Sequence, residues 1–335
     1  MKGKLDGSTV LLGPDGVVLH EQGGFGRVDR GGLRLSPEEA LYLVQREKLE
    51  VEGQGFESLL SAFSDRPGLF RSFLVYRDIR ERGFAVQPGV GHYRLFRRGE
   101  RPGTGRSRLL VRVLSERDLV DFEVIRSEVE TSDNMRKDHV LAVVDDEGEL
   151  TYYGVKVTDL APVSPPPACP LAEGRLFGST VMLSGPVPPG IRDAWFGTPL
   201  DDGKLVLSPV EALYLMRKGA LVLPGRGGPT TPEVYLENAL PSDPELAEKA
   251  AVYADLREHG YIPRTGYKFG HHFRVYTKDR NHSDLLVHAI PPGQTLAVSV
   301  ISRSVRLAHS VKKKMLFACV HPSGIRYIEF GRMKL

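Results

Sequence analysis

The chain of 335 residues is written twice. LRLSPEEALYL (33–43) returns as LVLSPVEALYL (205–215), and GSTVLL (7–12) as GSTVML (178–183). VYRDIRERGFAVQPG (75–89) returns as VYADLREHGYIPRTG (252–266). HYRLF (92–96) matches HFRVY (272–276), SRLLVRV (107–113) matches SDLLVHA (283–289), and NMRKDHVLAVVDDEG (134–148) matches SVKKKMLFACVHPSG (310–324). A duplication on this scale narrows the fold: whatever plan residues 1–160 follow, residues 174–335 follow again. Between the copies lies LAPVSPPPACPLAE (160–173), whose five prolines read as a stiff, extended linker.

Each copy divides in two. The first part carries short strand-like runs (9–12 and 180–183) and a Ser-Pro pair (Ser36-Pro37, Ser208-Pro209) that opens a helix, serine capping and proline taking the first turn. A second helix is predicted over about 70–82 and 245–259, stopped by Gly83 and Gly260. The second part is strand-rich, with FRVY, DLLVHAI, MLFACV and RYIEF in copy two, and one amphipathic helix (about 299–312) interrupts the strands. The expected class is therefore mixed α/β: a tandem duplication in which an N-terminal α/β subdomain precedes a strand-rich, mixed-sheet subdomain with one helix. The expected boundaries are 1–84 and 85–160 in copy one, the linker 161–173, then 174–261 and 262–335 in copy two.

Composition removes several function classes. No apolar run approaches the ~18 residues of a membrane span, and MKGKLDGSTVLLG at the N-terminus lacks a signal-peptide core. Two cysteines, Cys169 and Cys319, make neither a disulfide framework nor a cysteine zinc site. A cytoplasmic setting without membrane partners is expected. The net charge of +3 conceals an asymmetry: residues 256–335 hold fourteen Lys and Arg against four acids, together with seven of the ten histidines. Such a basic segment suits a polyanion, RNA or DNA, although it also serves to balance an acidic remainder.

The two copies differ where chemistry is possible. Tyr276, His282 and Lys313 of copy two stand where copy one has Phe96, Arg106 and Lys137. Around these residues, KFGHHFRVY (268–276), NHSDLLVHAI (281–290) and SRSVRLAHSVKKKMLFACV (302–320) resemble the signature blocks of the archaeal tRNA-splicing endonucleases, or tRNA-intron endonucleases. The resemblance runs over the whole chain, and its length is similar to that of the fused two-copy form that works as a homodimer. It implies cutting of precursor tRNA at a bulge-helix-bulge, without metal or other cofactor, leaving 2′,3′-cyclic phosphate and 5′-hydroxyl ends. It also implies Tyr276 as base for the 2′-hydroxyl, His282 as acid for the leaving oxygen and Lys313 as the fixed cation. Among the three successive lysines, the block S-V-x-K-x-L/M selects Lys313.

The chemistry agrees with the residue types. Strand scission through RNA's own 2′-oxygen needs a base, an acid and a cation for the pentacoordinate phosphate. An imidazole with its usual pKa near ~6.5 suits the acid. A phenol, at ~10, needs neighbouring cations to serve as base. The tail has no H-E-x-x-H and no compact acidic cluster, which disfavours a metal nuclease. TKDRN (277–281) is expected to turn, with Tyr276 closing one strand and His282 opening the next. Arg306, seven residues before Lys313, is expected on the same helix face. The resemblance makes Arg306 a stacking group on an extruded base, partnered by Arg332 or Arg326. It also makes the acidic turn Asp145, Asp146, Glu147 a dock for the partner's catalytic half. Last-strand residues Tyr152, Tyr153, Tyr327, Ile328 and Phe330 are expected to pair edges or tails between halves and across the dimer.

Each residue has an ordinary alternative. Tyr276 reads equally as a strand tyrosine, His282 as a turn histidine, the lysines as a solvated helix end and the acidic turn as plain turn chemistry. His288, His309 and Trp195 read as structural. Two other functions stay open at this point: a non-catalytic RNA-binding subunit of a heteromeric endonuclease, and a DNA-processing nuclease, the weaker of the two because a 2′-hydroxyl mechanism cannot act on DNA.

Overall fold

The computed structural model describes residues 1–29, 31–200, 203–225, 227–277 and 282–335. Two compact units result. One comprises Met1–Lys156, Thr295–Arg303 and Phe330–Leu335; the other comprises Val157–Gln294 and Ser304–Glu329. Two segments of copy two thus join the unit built from copy one. Thr295–Ala297 pairs antiparallel with Leu119–Asp121, and the Val298 and Ser299 N–H groups donate to the Asp118 and Glu116 carbonyls at 2.9 and 3.0 Å.

The Ser-Pro signals open helices Pro37–Gln45 and Pro209–Arg217. In the first, Glu39 accepts from the Ser36 N–H at 2.9 Å while the Glu39 N–H reaches Ser36 Oγ at 3.4 Å. In the second, Glu211 accepts from the N–H and hydroxyl of Ser208 at 2.9 and 2.8 Å. Each glutamate also takes the N–H of a loop glycine, Gly26 at 2.7 Å and Gly197 at 2.9 Å. One buried carboxylate therefore satisfies the helix start and anchors the loop before it. The second helices run Leu69–Glu81 and Leu246–Glu258, close to the predicted spans, and Gly83 and Gly260 adopt φ of 85° and 79° beyond their ends.

The early strands of each copy form a small five-stranded sheet. In copy one its order is Arg27–Asp29, Gly32–Leu35, Thr9–Leu12, Lys2–Asp6, Glu50–Val51. In copy two the order is Thr198–Pro199, Leu205–Leu207, Thr180–Ser184, Ala172–Phe177, Leu221–Val222. The later strands form mixed sheets, as the sequence predicts. In copy one Leu109–Ser115 lies parallel to Asp138–Val144, joined by helix Phe122–Asn134. In copy two Leu285–Ile290 lies parallel to Lys314–His321, joined through helix Val298–Ser310. Parallel neighbours need such a crossover. One apolar cluster runs through both parts of each copy: Val181 and Leu213 share theirs with Tyr253, Val275, Val287 and Leu316. Among the described residues no helix is long and apolar enough to cross a membrane.

The proline-rich segment is tied down along its own unit. The Val163 N–H donates to the His259 carbonyl at 2.9 Å, the Tyr261 hydroxyl to the Ala161 carbonyl at 3.2 Å, and Leu160 and Cys169 pack on the core. A Cβ on Gly260 would stand 2.2 Å from the Ser164 carbonyl oxygen, whereas one on Gly83 meets nothing within 4 Å. Gly83→Ala should therefore cost only the left-handed backbone penalty, about 1–2 kcal/mol, and Gly260→Ala distinctly more. Urea unfolding of the two variants checks this; equal losses would show that the linker's seat on Gly260 contributes nothing.

Candidate active site

Strand direction gathers the site. Phe273–Tyr276 runs antiparallel to Leu285–Ile290, which runs parallel to Lys314–His321. The C-terminal end of the first strand therefore meets the N-terminal ends of the other two. Tyr276 is the last residue of its strand, and Lys313 immediately precedes its own. The Asp284 N–H donates to the Val275 carbonyl at 3.1 Å, and the Lys314 N–H to the Asp284 carbonyl at 3.0 Å, stitching the three ends together. The Lys313 ammonium donates to the Ser283 carbonyl at 2.5 Å, one residue beyond His282. Tyr276 and Lys313 are half-buried and His282 is exposed.

Two local expectations are corrected. His282 lies in a bend and does not open the next strand, which starts at Leu285; residues 278–281 of the expected turn lie outside the described residues. Nor do Arg306 and Lys313 share a helix face. The helix ends at Ser310, Lys312 turns left-handed at φ 56°, and the Lys313 N–H closes back on the Ala308 carbonyl at 2.8 Å. Helical spacing does not survive that reversal. Arg306 is exposed on the helix.

Arg326 and Arg332 are both exposed on Gly324–Met333, six residues apart, or about 20 Å along a strand. Arg326 shares a unit with Arg306, and Arg332 belongs to the other. In the acidic turn, Asp145 accepts the N–H groups of Glu147 and Glu149 at 3.0 and 2.9 Å, and Asp146 pairs with Arg117. Glu147 is exposed.

Copy one repeats the same skeleton. Its stitches are the Arg108 N–H to the Leu95 carbonyl at 2.8 Å, Asp138 N–H to Arg108 at 3.0 Å and Lys137 N–H to Ser132 at 2.9 Å. Arg136 carries the left-handed turn at φ 56°. Phe96, Arg106 and Lys137 line a single cavity of about 410 Å³.

Comparison with known proteins adds to this geometry. The model of the tRNA intron endonuclease catalytic C-terminal domain matches residues 69–152 and again 246–327. That of the tRNA intron endonuclease N-terminal domain matches 1–60 and 172–236. The chain belongs to the tRNA intron endonuclease family. A tRNA-splicing endonuclease of Methanococcoides burtonii is 37% identical over 332 residues, covering 95% of each chain. Those of Methanosarcina acetivorans and Natronomonas pharaonis are each 36% identical, over 100% and 99% of both chains respectively. The protein is thus an endonuclease built from a tandem pair of family repeats.

In this endonuclease Trp195, which the sequence reads as structural, stands beside Tyr276. It is 45% exposed, sits at φ 61°, and its ring lies 6.3 Å from that of Tyr276. Two arginines hold it by its carbonyl. Arg257, only 1% exposed, donates to Tyr253 Oη at 3.0 Å and to the Ala194 and Trp195 carbonyls at 2.9 and 3.4 Å. Arg264 donates to the Trp195 and Gly197 carbonyls and to Glu211 at 3.0, 2.9 and 3.2 Å. The signal lay in the repeat: copy two alone carries a tryptophan, and the matching stretch of copy one (EQGGFG, 21–26) puts glycine before its phenylalanine.

At the other end of the Phe273–Tyr276 strand three histidines pack ring on ring. His272 and His288 stack at 4.1 Å, and His271 meets His288 edge-on at 5.6 Å. The Ala289 N–H donates to His272 Nδ1 at 3.0 Å, so the other nitrogen carries the proton, directed at Glu245 3.4 Å away. Burial lowers His271 to about 4; burial and Lys249 lower His272 to about 4; burial and the two neighbouring rings lower His288 to about 3. In the unfolded chain these groups protonate near ~6.5. Their contribution to stability is complete above that pH and is lost as pH falls from there toward 3–4. His288→Phe keeps an aromatic contact and removes one such site, so its unfolding midpoint should fall less steeply over this interval. Identical pH slopes would show that the imidazoles carry no linkage.

Proposed function

We propose that this endonuclease removes introns from precursor tRNA by cutting at bulge-helix-bulge junctions, with Tyr276, His282 and Lys313 as its catalytic groups. The observation that carries the reading is the Lys313 ammonium bonded to the Ser283 carbonyl next to His282, at the sheet edge where Tyr276 ends its strand. A fixed cation, an exposed imidazole and a phenol at one edge supply what attack by a 2′-hydroxyl requires. In this mechanism Tyr276 takes the 2′-proton and His282 gives a proton to the departing 5′-oxygen. Lys313 balances the charge on the pentacoordinate phosphorus. The products are a 2′,3′-cyclic phosphate and a 5′-hydroxyl. No metal enters these steps.

Trp195, exposed beside Tyr276, offers a flat apolar face to a nucleotide on that side of the site. Arg306, with Arg326 or Arg332, supplies stacking and charge for bases splayed from the bulge. Two chains act together in this reading. The acidic turn of each copy one, with Glu147 exposed on it, docks on the basic half of the partner and sets two cutting sites at the spacing of two bulges.

His282→Ala should lower single-turnover cleavage by about 10²–10⁴-fold while RNA binding persists. A 2′-deoxyribose at the scissile position should stop cutting, and EDTA should leave it intact. Cleavage undiminished without His282, or lost in EDTA, would defeat the assignment. Purified wild-type protein that binds precursor tRNA and never cuts it would favour a non-catalytic RNA-binding subunit.

A further inference from the structure

Copy one has a cavity at the positions that match Tyr276, His282 and Lys313 of copy two. Phe96, Arg106 and Lys137 share it with Arg94 and Arg136, and no Asp or Glu stands among its described lining residues. Four cations therefore face one space of about 410 Å³. This is not an overflow of basic residues, because residues 80–160 contain fourteen Lys and Arg against fifteen acids. Two acids of the same segment pair outside the cavity, Asp138 with Arg108 at 3.5 Å and Glu128 with Arg112 at 2.8 Å, while Glu100 lies beside the lining Gly105.

We propose that this cavity binds a phosphodiester of the RNA substrate and holds it without cutting. The inference rests on the reading of copy two as the cutting site, since it takes these matched positions to have been shaped around a phosphate before the copies diverged. Two replacements then have one sense. Arginine for histidine exchanges a group that transfers protons for one that cannot, yet adds a fixed, forked donor suited to phosphate oxygens. Phenylalanine for tyrosine deletes the hydroxyl and leaves an apolar wall, only 6% exposed. Both changes abolish acid–base chemistry, and together with the retained lysine they raise the permanent positive charge.

Lys137 is already poised for an anion. Partial burial and the neighbouring Arg94 push its ammonium below the usual range, a penalty that a bound phosphate relieves. Arg94, Arg106 and Arg136 are exposed at the rim, where an RNA strand can reach them. An extended RNA would thus be gripped by copy one as well as cut by copy two.

The test uses the full-length protein and a bulge-helix-bulge RNA made uncleavable by 2′-deoxyribose at the scissile positions. Binding is followed by fluorescence anisotropy over a range of salt. The double variant Arg106→Ala/Lys137→Ala should raise Kd by about tenfold and reduce the salt slope by about 1–2. Arg71→Ala, an exposed position outside the cavity, should stay within about twofold. Should the double variant unfold, Arg106→Ala alone, at an exposed side chain, still has to weaken binding. Unchanged affinity and slope in a folded variant overturn the proposal. So does an altered oligomeric state with unchanged RNA affinity, which would give the cavity to an acidic protein segment. Wild-type protein that never cuts the all-ribose RNA defeats the reading of copy two instead, while cutting by wild type with undiminished binding by the variant defeats only the role of this cavity.

Discussion

The parallel register that sets Leu285 opposite Lys314 is the constraint on which the edge carrying the candidate site depends. Parallel strands place equivalent ends side by side, so residues entering them become neighbours however far apart they lie in the chain. That pairing delivers the Lys313 ammonium to the carbonyl beside His282. The antiparallel partner Phe273–Tyr276 brings its exit to the same edge and contributes the phenol. The left-handed turn at Lys312 is the other half of the arrangement. It ends the helix and re-aims the chain, so that one lysine of three reaches the Ser283 carbonyl while its neighbours stay exposed.

The duplication separates what the skeleton requires from what chemistry requires. Both copies keep the glutamate that caps a helix and ties a glycine loop, the left-handed residue before the last parallel strand, and the same three backbone stitches. Tyr152 and Tyr327 each donate to an aspartate on the second helix of their copy, Asp78 and Asp255, at 2.7 Å. Those shared features are buried or backbone-borne, where a change leaves a polar group unsatisfied or a cavity empty. The differences that bear on chemistry lie at or just beyond the strand ends. There copy two holds groups able to transfer protons, and copy one holds groups that only carry charge.

Elements with a strong local signal were legible in the sequence. The Ser-Pro starts, the glycine stops at Gly83 and Gly260 and the amphipathic run before the three lysines all act within a few residues, and the helices follow them closely. The repeat made Tyr276, His282 and Lys313 stand out against Phe96, Arg106 and Lys137. What sequence spacing misjudged were the joints. It carried helical periodicity across Lys312, because a positive φ at a lysine has no residue-type signature of the kind glycine provides. It also gave no sign that Trp195, read as structural, lies near Tyr276, a nearness that depends on arginines more than sixty residues away gripping its carbonyl.

The sequence by itself determined the duplication, the order of helices and strands in each copy, the basic bias of the last segment and the residues able to do chemistry, since all of these follow from side-chain type and local period. Only the tertiary structure decided which strand ends meet, that Thr295–Arg303 joins the unit of the other copy, and that four cations line the cavity of copy one. Strand pairing and burial are settled between residues distant in the chain, and no local rule encodes them.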